Sequence, residues 1–208
     1  MDAARVRFAK YWEGAAPPPV GDPLTEERVR HFLRLAPEAR TVLDLGCGNG
    51  RASRLLADAG KRVVGLEISS VALRKAATVG ALGAIWYVEG SCEAPLPFRS
   101  ESIDAVYWAE VIEHLVDPQV AVAECRRVLR PGGTLFVSAP YHGWVKNMLI
   151  ASMAFERHFD PVGPHIRFFT PHSLASLMRL QGFSIERTIY LGRFWPLWMN
   201  MALVARKA

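Results

Sequence analysis

The chain has 208 residues, of which 50% are hydrophobic and 22% are charged. This composition suits one domain with a sizeable core, here spanning 1–208, and excludes a fully disordered chain. No apolar run reaches the roughly 18 residues that span a bilayer, and no basic-then-apolar leader opens the sequence. We therefore expect a soluble, cytoplasmic protein. The three cysteines, Cys47, Cys92 and Cys125, lack a C-x-x-C spacing, so they predict neither a disulfide framework nor a cysteine-only zinc site.

The formal net charge of +5 lies in the last third of the sequence. Residues 141–208 carry eight Lys and Arg against three Asp and Glu, whereas 1–140 carry 17 of each kind. Basic charge concentrated in one segment attracts an anionic substrate or an anionic surface. Solvated arginine on an ordinary surface explains the same excess, so both interpretations stay open.

The first 40 residues predict helix. An aromatic and basic stretch at 5–12 precedes a cluster of glycine and proline between 14 and 23. Thr25 then opens a helical stretch over 26–35, with acidic residues in its first turn, as the helix dipole favours. We interpret 1–40 as a helical preface that packs against the main domain.

Residues 41–140 alternate apolar runs with helical periods and predict the core of the domain. Asp117 and Pro118 mark a strong helix start, because a capping residue stands before a proline at the first helical position. That helix is expected to end at 131–133. Alternation of strands and helices predicts a mostly parallel α/β sheet with right-handed crossovers. The expected strands are 41–45, 62–67, 84–88, 103–109 and 134–139, and the expected helices before Asp117 are 52–59 and 70–79.

The alternation breaks after Pro140. An apolar stretch of helical period covers 144–159, and we interpret 141–169 as a small cap inserted over the ends of the strands. Segments in this position commonly carry specificity. Residues 170–208 predict a helix to about Leu180 and two closing strands, 183–190 and 197–205.

The sharpest motif is the glycine turn that follows the first strand, within Val42–Gly50. Such a turn lets the backbone approach a ligand at the carboxyl ends of the strands. Glu67 ends the second strand, where a carboxylate can accept both hydroxyls of a ribose. Arg51 stands where the dinucleotide fingerprint needs a third glycine, and Asp44 before the turn would repel a pyrophosphate but hold an ammonium group. A nucleoside with an amino-acid tail therefore fits better than a dinucleotide.

With these motifs the sequence resembles the class I S-adenosylmethionine-dependent methyltransferases, and looks most like the small type 11 group. The resemblance is close over about 40–140 and holds in outline elsewhere. It implies a Rossmann-like, doubly wound, seven-stranded sheet whose last strand is antiparallel, with helices on both faces. The motifs that carry it are, in chain order, 42–50, 65–69, 89–98, 103–106, 110–115 and 127–133.

The resemblance also implies a site for S-adenosyl-L-methionine. Its methionine part would lie on the glycine turn, Asp44 would orient the ammonium group and Glu67 would hold the ribose. Ile68 would pack on the adenine, whose edge Ser91 and Cys92 would meet. Ser91 stands where the group often has aspartate. The expected cofactor-binding residues are Asp44, Gly46, Cys47, Gly48, Gly50, Glu67, Ile68, Ser91, Cys92, Ala109 and Glu110.

Glu110, Glu113 and His114 follow the fourth strand at spacings that place them on one face of a helical turn. With His165 from the cap they are candidate ligands for Mg²⁺, Mn²⁺ or Zn²⁺. The run is similar to that of ubiquinone-biosynthesis O-methyltransferases and small-RNA 2′-O-methyltransferases, where a Glu-x-x-Glu-His run and a later histidine bind a metal that engages substrate hydroxyls. In the alternative, Glu110 contacts the cofactor, Glu113 caps a turn and His114 is a core histidine.

Methyl transfer from a sulfonium depends mainly on in-line positioning of the acceptor. If a base is needed, the candidates are His114, His142 and His165. The apolar cap and the basic excess favour a small-molecule or lipid-like acceptor, methylated at oxygen. Tyr141, Trp144, Phe168 and Phe169 are candidate walls of its pocket. Peripheral contact with a membrane is expected through Tyr11, Trp12 and the turn at 193–195.

Nucleic acid is a disfavoured partner, because the sequence has no recognised nucleic-acid-binding module and the net charge of +5 is modest. Two other functions stay open as alternatives: an RNA or protein methyltransferase, and a non-catalytic S-adenosylmethionine-binding protein. The oligomeric state is not predicted.

Overall fold

A computed structural model of the chain describes residues 3–14, 23–78, 83–158 and 165–208. The strands are β1 (Thr41–Leu45), β2 (Arg62–Glu67), β3 (Ile85–Glu89), β4 (Ile103–Ala109), β5 (Leu129–Pro140), β6 (Phe183–Leu191) and β7 (Asn200–Lys207). The helices are α1 (Ala3–Gly14), α2 (Pro23–Leu35), α3 (Arg51–Asp58), α4 (Ser70–Ala77), α5 (Pro118–Val128), α6 (Trp144–Met153), α7 (Phe155–His158) and α8 (Pro171–Leu180). A single 3₁₀ turn, Ile112–His114, follows β4.

The strands form one seven-stranded sheet in the order β3-β2-β1-β4-β5-β7-β6. Neighbours from β3 to β5 are parallel, whereas β7 runs antiparallel to both β5 and β6. The predicted Rossmann-like sheet with an antiparallel last strand is therefore confirmed. Strand order reverses between β1 and β4, and ligands of open α/β sheets bind in the crevice at such a reversal.

Both faces of the sheet are covered by helices. Successive side chains of a strand point to opposite faces, so Val42 packs with Phe32 of α2 and Leu56 of α3. Its neighbour Leu43 belongs to the other core, which includes Leu174 of α8 and the buried side of α5. Because both faces are buried, the central strands are almost continuously apolar, which is why the sequence reveals them.

Several boundaries differ from the sequence expectations. β5 begins at Leu129, so the predicted helix stop at 131–133 lies inside the strand, near an irregularity in its pairing with β4; proline and glycine are tolerated at such a place. The last strand begins at Asn200, three residues later than expected. The apolar stretch of the cap is divided at Ala154 into α6 and α7. The predicted end of the helix 70–79 and the predicted end of the apolar stretch 144–159 lie outside the described residues.

Helix α6 follows β5 and has an apolar sequence, yet none of its residues is buried. The side chain of Trp144 is 77% exposed and that of Met153 is 81% exposed. None of the helices in the described ranges combines the length and the apolar character that a membrane-spanning helix requires.

Candidate functional site

A cavity of about 310 Å³ opens at the carboxyl ends of the parallel strands, around the strand-order reversal. Its walls come from the glycine turn after β1, the end of β2, the segment after β3 and the 3₁₀ turn after β4. The cavity thus brings together motifs that are far apart in the sequence. The predicted residues that line it are Gly46, Gly48, Glu67, Ile68, Ser91, Cys92, Glu110, Glu113, His114 and His165.

Five predicted site residues do not line this cavity: Asp44, Cys47, Gly50, Ala109 and His142. The Sγ atom of Cys47 points towards Gly65 of β2, and a Cβ atom on Gly50 would meet Tyr87 and Ala76. Cys47 and Gly50 therefore pack behind the glycine turn, and their contact with the cofactor stays a prediction. Burial raises the pKa of the Cys47 thiol well above its usual value.

Gly48 shows why the turn needs glycine. Its φ angle is +53°, in the left-handed region that side chains disfavour. A Cβ atom there would lie 2.8 Å from Cζ2 of Trp12. The backbone N–H of Gly48 donates to Oε2 of Glu67 across 3.0 Å. The turn is thus open to the cavity and tied to the end of β2.

The carboxylate of Glu67 also accepts a hydrogen bond from the backbone N–H of Ser69, at 2.9 Å. Burial raises the pKa of Glu67, and the hydrogen bonds from the backbone oppose that rise. A carboxylate held by two backbone donors has a fixed orientation. Glu67 therefore presents a preformed acceptor on the cavity wall.

Asp44 lies beneath the glycine turn and is almost fully buried. Its carboxylate accepts a hydrogen bond from Oγ of Ser53 at 2.5 Å. Burial raises the pKa of Asp44 to about 7, and the charge of Glu67 contributes to the rise while the Ser53 hydrogen bond opposes it. A cation near this carboxylate would favour its ionised form.

Glu110 directly follows β4 and has a φ angle of +56°, a strained backbone conformation for a residue other than glycine. Its carboxylate accepts hydrogen bonds from Ser138 Oγ, at 2.9 Å, and from Asn200 Nδ2. Arg28 of α2 adds an ion pair at 3.3 Å. Glu110 is therefore held by partners from three different elements.

Glu113, His114 and His165 form a compact group whose candidate ligand atoms all lie within 4.8 Å of one another. Glu110 does not belong to this group, so the four-residue ligand set expected from the sequence is corrected to three. The reason is the backbone turn at Glu110, which directs its side chain towards Ser138 and Asn200 instead.

The carboxylate of Glu113 is the buried centre of this group. It is 1% exposed, and neither of its oxygens has a hydrogen-bond partner. The Nε2 atoms of His114 and His165 each lie 3.9 Å from Oε1 of Glu113. Burial raises the pKa of Glu113 well above its usual value, and the charge of Glu110 adds to the rise. An unsatisfied buried carboxylate beside two imidazoles fits a divalent cation.

His165 reaches this group because its segment is bound to the turn after β4. The backbone carbonyl of Glu113 accepts from the N–H groups of Ile166 and Arg167, both at 3.1 Å. The guanidinium of Arg167 donates to the carbonyls of Leu115, at 2.8 Å, and Val116. Residues 52 positions apart in the chain are thereby held side by side.

His142 is placed differently from the other two candidate bases. Its buried ring has Nδ1 at 3.1 Å from Oδ1 of Asn147 and packs against His158 and Phe168. Burial lowers the pKa of His142 to about 4, so it is neutral at pH 7. His114 and His165 line the cavity, whereas His142 does not.

The aromatic residues expected around the acceptor also lie elsewhere. Phe169 is in the core, Trp144 faces outward, and Tyr141 packs on Tyr190 and Trp198. None of these side chains, nor that of Phe168, lines the cavity. Their role as walls of an acceptor pocket therefore stays a prediction.

Helix α1 contributes cavity residues that the sequence analysis did not assign to the site. Ala4, Phe8, Tyr11 and Trp12 all line the cavity. Trp12 packs on the glycine turn, and its expected contact with a membrane stays a prediction. The spacing of Ala4, Phe8 and Trp12 by four residues places them on one helix face and is the sequence feature that would have identified them.

Comparison with known proteins places these features in a family. Residues 43–137 match the family model described as a methyltransferase domain. A ubiquinone biosynthesis O-methyltransferase of Ralstonia nicotianae is 35% identical over 167 residues, which cover 77% of this chain and 69% of that protein. A relative from Mycolicibacterium smegmatis, named a probable S-adenosylmethionine-dependent methyltransferase, is 35% identical over 72% of this chain. The match spans only 54% of that relative's length.

Solved structures show the same fold. The crystal structure of an S-adenosylmethionine-dependent methyltransferase from Mesorhizobium loti matches with a TM-score of 0.68 and 19% identity, covering 94% of this chain and all of that one. The same family is indicated by the sheet order, by the glycine turn, by the acidic residue at the end of β2 and by the sequence relatives. The chain belongs to the class I S-adenosylmethionine-dependent methyltransferases, in the type 11 group.

Proposed function

We propose that this protein transfers the methyl group of S-adenosylmethionine to a hydroxyl oxygen of a small, amphipathic, lipid-like acceptor. The observation that carries the proposal is the group of Glu113, His114 and His165, which faces the same cavity as the glycine turn. The names of relatives that act in ubiquinone biosynthesis as O-methyltransferases support an oxygen acceptor.

The cavity residues fit an adenosyl compound with an amino-acid tail. Gly46 and Gly48 let the backbone approach the methionine part, and Glu67 offers its fixed carboxylate to the ribose hydroxyls. Ile68 and Cys92 supply apolar walls for the adenine. The charge of the buried Asp44 would act on the ammonium group from beneath the turn. When bound, S-adenosylmethionine supplies a methyl group activated by a sulfonium.

The three-residue group would hold Mg²⁺, Mn²⁺ or Zn²⁺. A bound ion supplies positive charge that lowers the pKa of an acceptor hydroxyl. Burial lowers the pKa of His165, so its neutral imidazole offers a lone pair either to a metal or to the proton of the acceptor. When His165 takes that proton it becomes a positively charged imidazolium, and the neighbouring carboxylate of Glu113 would balance that charge. The remaining contribution of the chain is to hold the acceptor oxygen in line with the methyl group.

An exposed apolar surface supports the lipid-like character of the acceptor and contact with a membrane. Lys146 Nζ donates to the carbonyls of Tyr141 and Trp198, at 2.8 and 3.1 Å, and so joins α6 to the turn before β7. On these adjoining segments Trp144 is 77% exposed and Trp195 is 69% exposed. Apolar side chains next to Lys146 and Arg193 suit the interface of an anionic bilayer.

The first experiment measures methyl transfer to an alkyl-substituted catechol, together with Mn²⁺ binding by calorimetry. The wild type should bind Mn²⁺ and show transfer that a chelator suppresses. His165→Ala and Glu113→Gln should lose Mn²⁺ binding by more than about tenfold, since even residues that only orient metal ligands contribute tenfold or more. His172→Ala, which changes an exposed histidine of α8, should behave like the wild type.

Two outcomes would overturn parts of this proposal. Transfer that is equally fast with and without chelator, and in His165→Ala, would remove the metal from the mechanism. If the protein binds S-adenosylhomocysteine and methylates RNA or protein but no hydroxyl compound, the proposed class of acceptor is wrong. Circular dichroism of each variant checks that the fold is retained.

The second experiment measures sedimentation with vesicles that contain 30% anionic lipid, a composition chosen for surface charge. A Trp144→Ser and Trp195→Ser double variant should lose most of the vesicle-bound fraction. Trp86→Ser is the matched control, because Trp86 is 52% exposed on β3, at one edge of the sheet. Equal loss in both variants, or no binding by the wild type, would contradict the membrane contact.

A further inference from the structure

Helix α1 lies over the cavity that we assign to the cofactor. Its cavity-lining residues Ala4, Phe8 and Trp12 share one face of the helix. Trp12 is in van der Waals contact with Gly48 of the glycine turn. Four residues earlier, Phe8 packs edge-on against the ring of His114, with centroids 5.6 Å apart. One helix face therefore touches both the cofactor side and the acceptor side of the cavity.

The attachment of α1 to the domain is weak. None of its described side chains is buried, whereas α2 buries Arg28, Val29 and Phe32. Arg5 of α1 pairs with Glu89, but these side chains are 46% and 38% exposed, and such exposed pairs contribute about 0–1 kcal/mol.

Polar contacts at the rim also hold α1. Lys75 Nζ donates to the carbonyl of Trp12, and Arg7 Nη2 donates to the carbonyl of His114 at 3.4 Å. A helix of 12 residues is marginal by itself in water. Because α1 is held by half-buried side chains and polar contacts, we expect its detachment to cost less free energy than loss of α2, which has buried side chains.

We propose that α1 is a movable wall of the cofactor cavity, with Trp12 as its main contact to bound cofactor. This inference rests on the proposed function, since it takes the cavity to be the S-adenosylmethionine site. With α1 in place, the cavity is covered on the side of the glycine turn. Outward movement of α1 opens that side, and return of Trp12 shields the cofactor from water. Because Phe8 lies on the same face, the same return completes the wall beside His114.

Hydrogen–deuterium exchange of the full chain, with and without S-adenosylhomocysteine, tests this proposal. Amides of α1 should exchange rapidly in the free protein and at least about tenfold more slowly when the ligand is saturating. Amides of α2, which is anchored in the core, should not change. Calorimetry on the same samples measures affinity independently of any methyl transfer.

Variants of α1 separate Trp12 from the helix as a whole. Trp12→Ala should bind S-adenosylhomocysteine about three- to tenfold more weakly and should lose the ligand-dependent protection of α1. Val6→Ala is the matched control, because Val6 is exposed on α1 and does not line the cavity. It should keep both affinity and protection.

The possible failures are distinguishable. If the ligand binds but the exchange of α1 is the same with and without it, whether fast or slow, α1 is not a movable wall and the proposed function still stands. If Trp12→Ala keeps full affinity and full protection, Trp12 is not the contact. If the wild type binds no S-adenosylhomocysteine, the proposed function fails and this inference fails with it.

Discussion

The two halves of the cavity are built in different ways. In the half of the cavity around Gly46, Gly48 and Glu67, here called the cofactor half, strands β1 and β2 pair in parallel, and the backbone N–H of Gly48 donates to the carboxylate of Glu67. In the half around Glu113, His114 and His165, here called the acceptor half, Arg167 and two backbone N–H groups bind the distant segment of His165 to the turn after β4. The first half is a local supersecondary unit, and the second is a long-range assembly.

This difference has a consequence for how each half tolerates change. The glycine turn and Glu67 are anchored because both adjoin buried strands of the sheet. The acceptor half depends on a few hydrogen bonds at the rim, beside segments with exposed apolar side chains. We therefore expect substitutions in the first half to alter cofactor affinity strongly, and substitutions in the second to alter metal or acceptor binding alone.

The largest effect is expected for Glu67→Ala. The variant loses a charged acceptor for the ribose and the bond that holds the N–H of Gly48, so affinity for S-adenosylhomocysteine should fall by about 10- to 100-fold. Calorimetry measures the change, and Glu186→Ala, at an exposed position on β6, is the control. Unchanged affinity in Glu67→Ala would show that the cofactor half does not depend on this carboxylate.

A pH dependence is the next largest expected effect. The pKa of Asp44 is about 7 in the free protein, and a cationic ammonium group favours the ionised carboxylate. Affinity for S-adenosylhomocysteine should therefore rise by roughly tenfold between pH 5.5 and 7.5, as the proton that competes with the ligand is lost. Asp44→Asn should bind more weakly at pH 7.5 and show a flat profile. If the wild-type profile is equally flat, the charge of Asp44 does not contribute to binding of the ammonium group.

Arg167→Ala tests whether the two halves are independent. Loss of the bonds to the carbonyls of Leu115 and Val116 should release the segment of His165 and weaken Mn²⁺ binding by roughly fivefold. Affinity for S-adenosylhomocysteine should stay unchanged. Arg179→Ala, at an exposed position of α8, is the control. A parallel loss of both affinities would break the distinction between the halves.

The smallest effect is expected for Cys47→Ala. Cys47 lies within the glycine turn, but its Sγ atom faces Gly65 instead of the cavity. Affinity for S-adenosylhomocysteine should change by less than about twofold, or roughly 0.5 kcal/mol. A large loss of affinity, with the melting temperature unchanged, would place the thiol in contact with the ligand and contradict the orientation described above.

Much of the cofactor half follows from local sequence. The glycine turn, Asp44 and Glu67 stand at the ends of apolar runs that could only be buried strands, and parallel strands bring their carboxyl ends to one edge. The side-chain directions of Cys47 and Gly50 could not be derived in this way, because they depend on Gly65 and Tyr87 in neighbouring strands.

For the acceptor half, the sequence predicted which residues take part but not how their side chains are arranged. Glu110 and Glu113 have the spacing of one helical face, but the left-handed backbone at Glu110 turns its carboxylate towards Arg28, Ser138 and Asn200. That conformation is stabilised by partners from three distant elements. No local propensity encodes it.

The sequence by itself determined the α/β fold and the family, and it brought the glycine turn and Glu67 to one edge of the sheet, because periodicity and short motifs are local properties of the chain. Tertiary structure alone decided that α1 covers the cavity, that His165 and not Glu110 completes the group around Glu113, and that the apolar face of the cap points outward. These features depend on contacts between residues far apart in the sequence, whose formation is governed by packing and backbone hydrogen bonding across the whole domain.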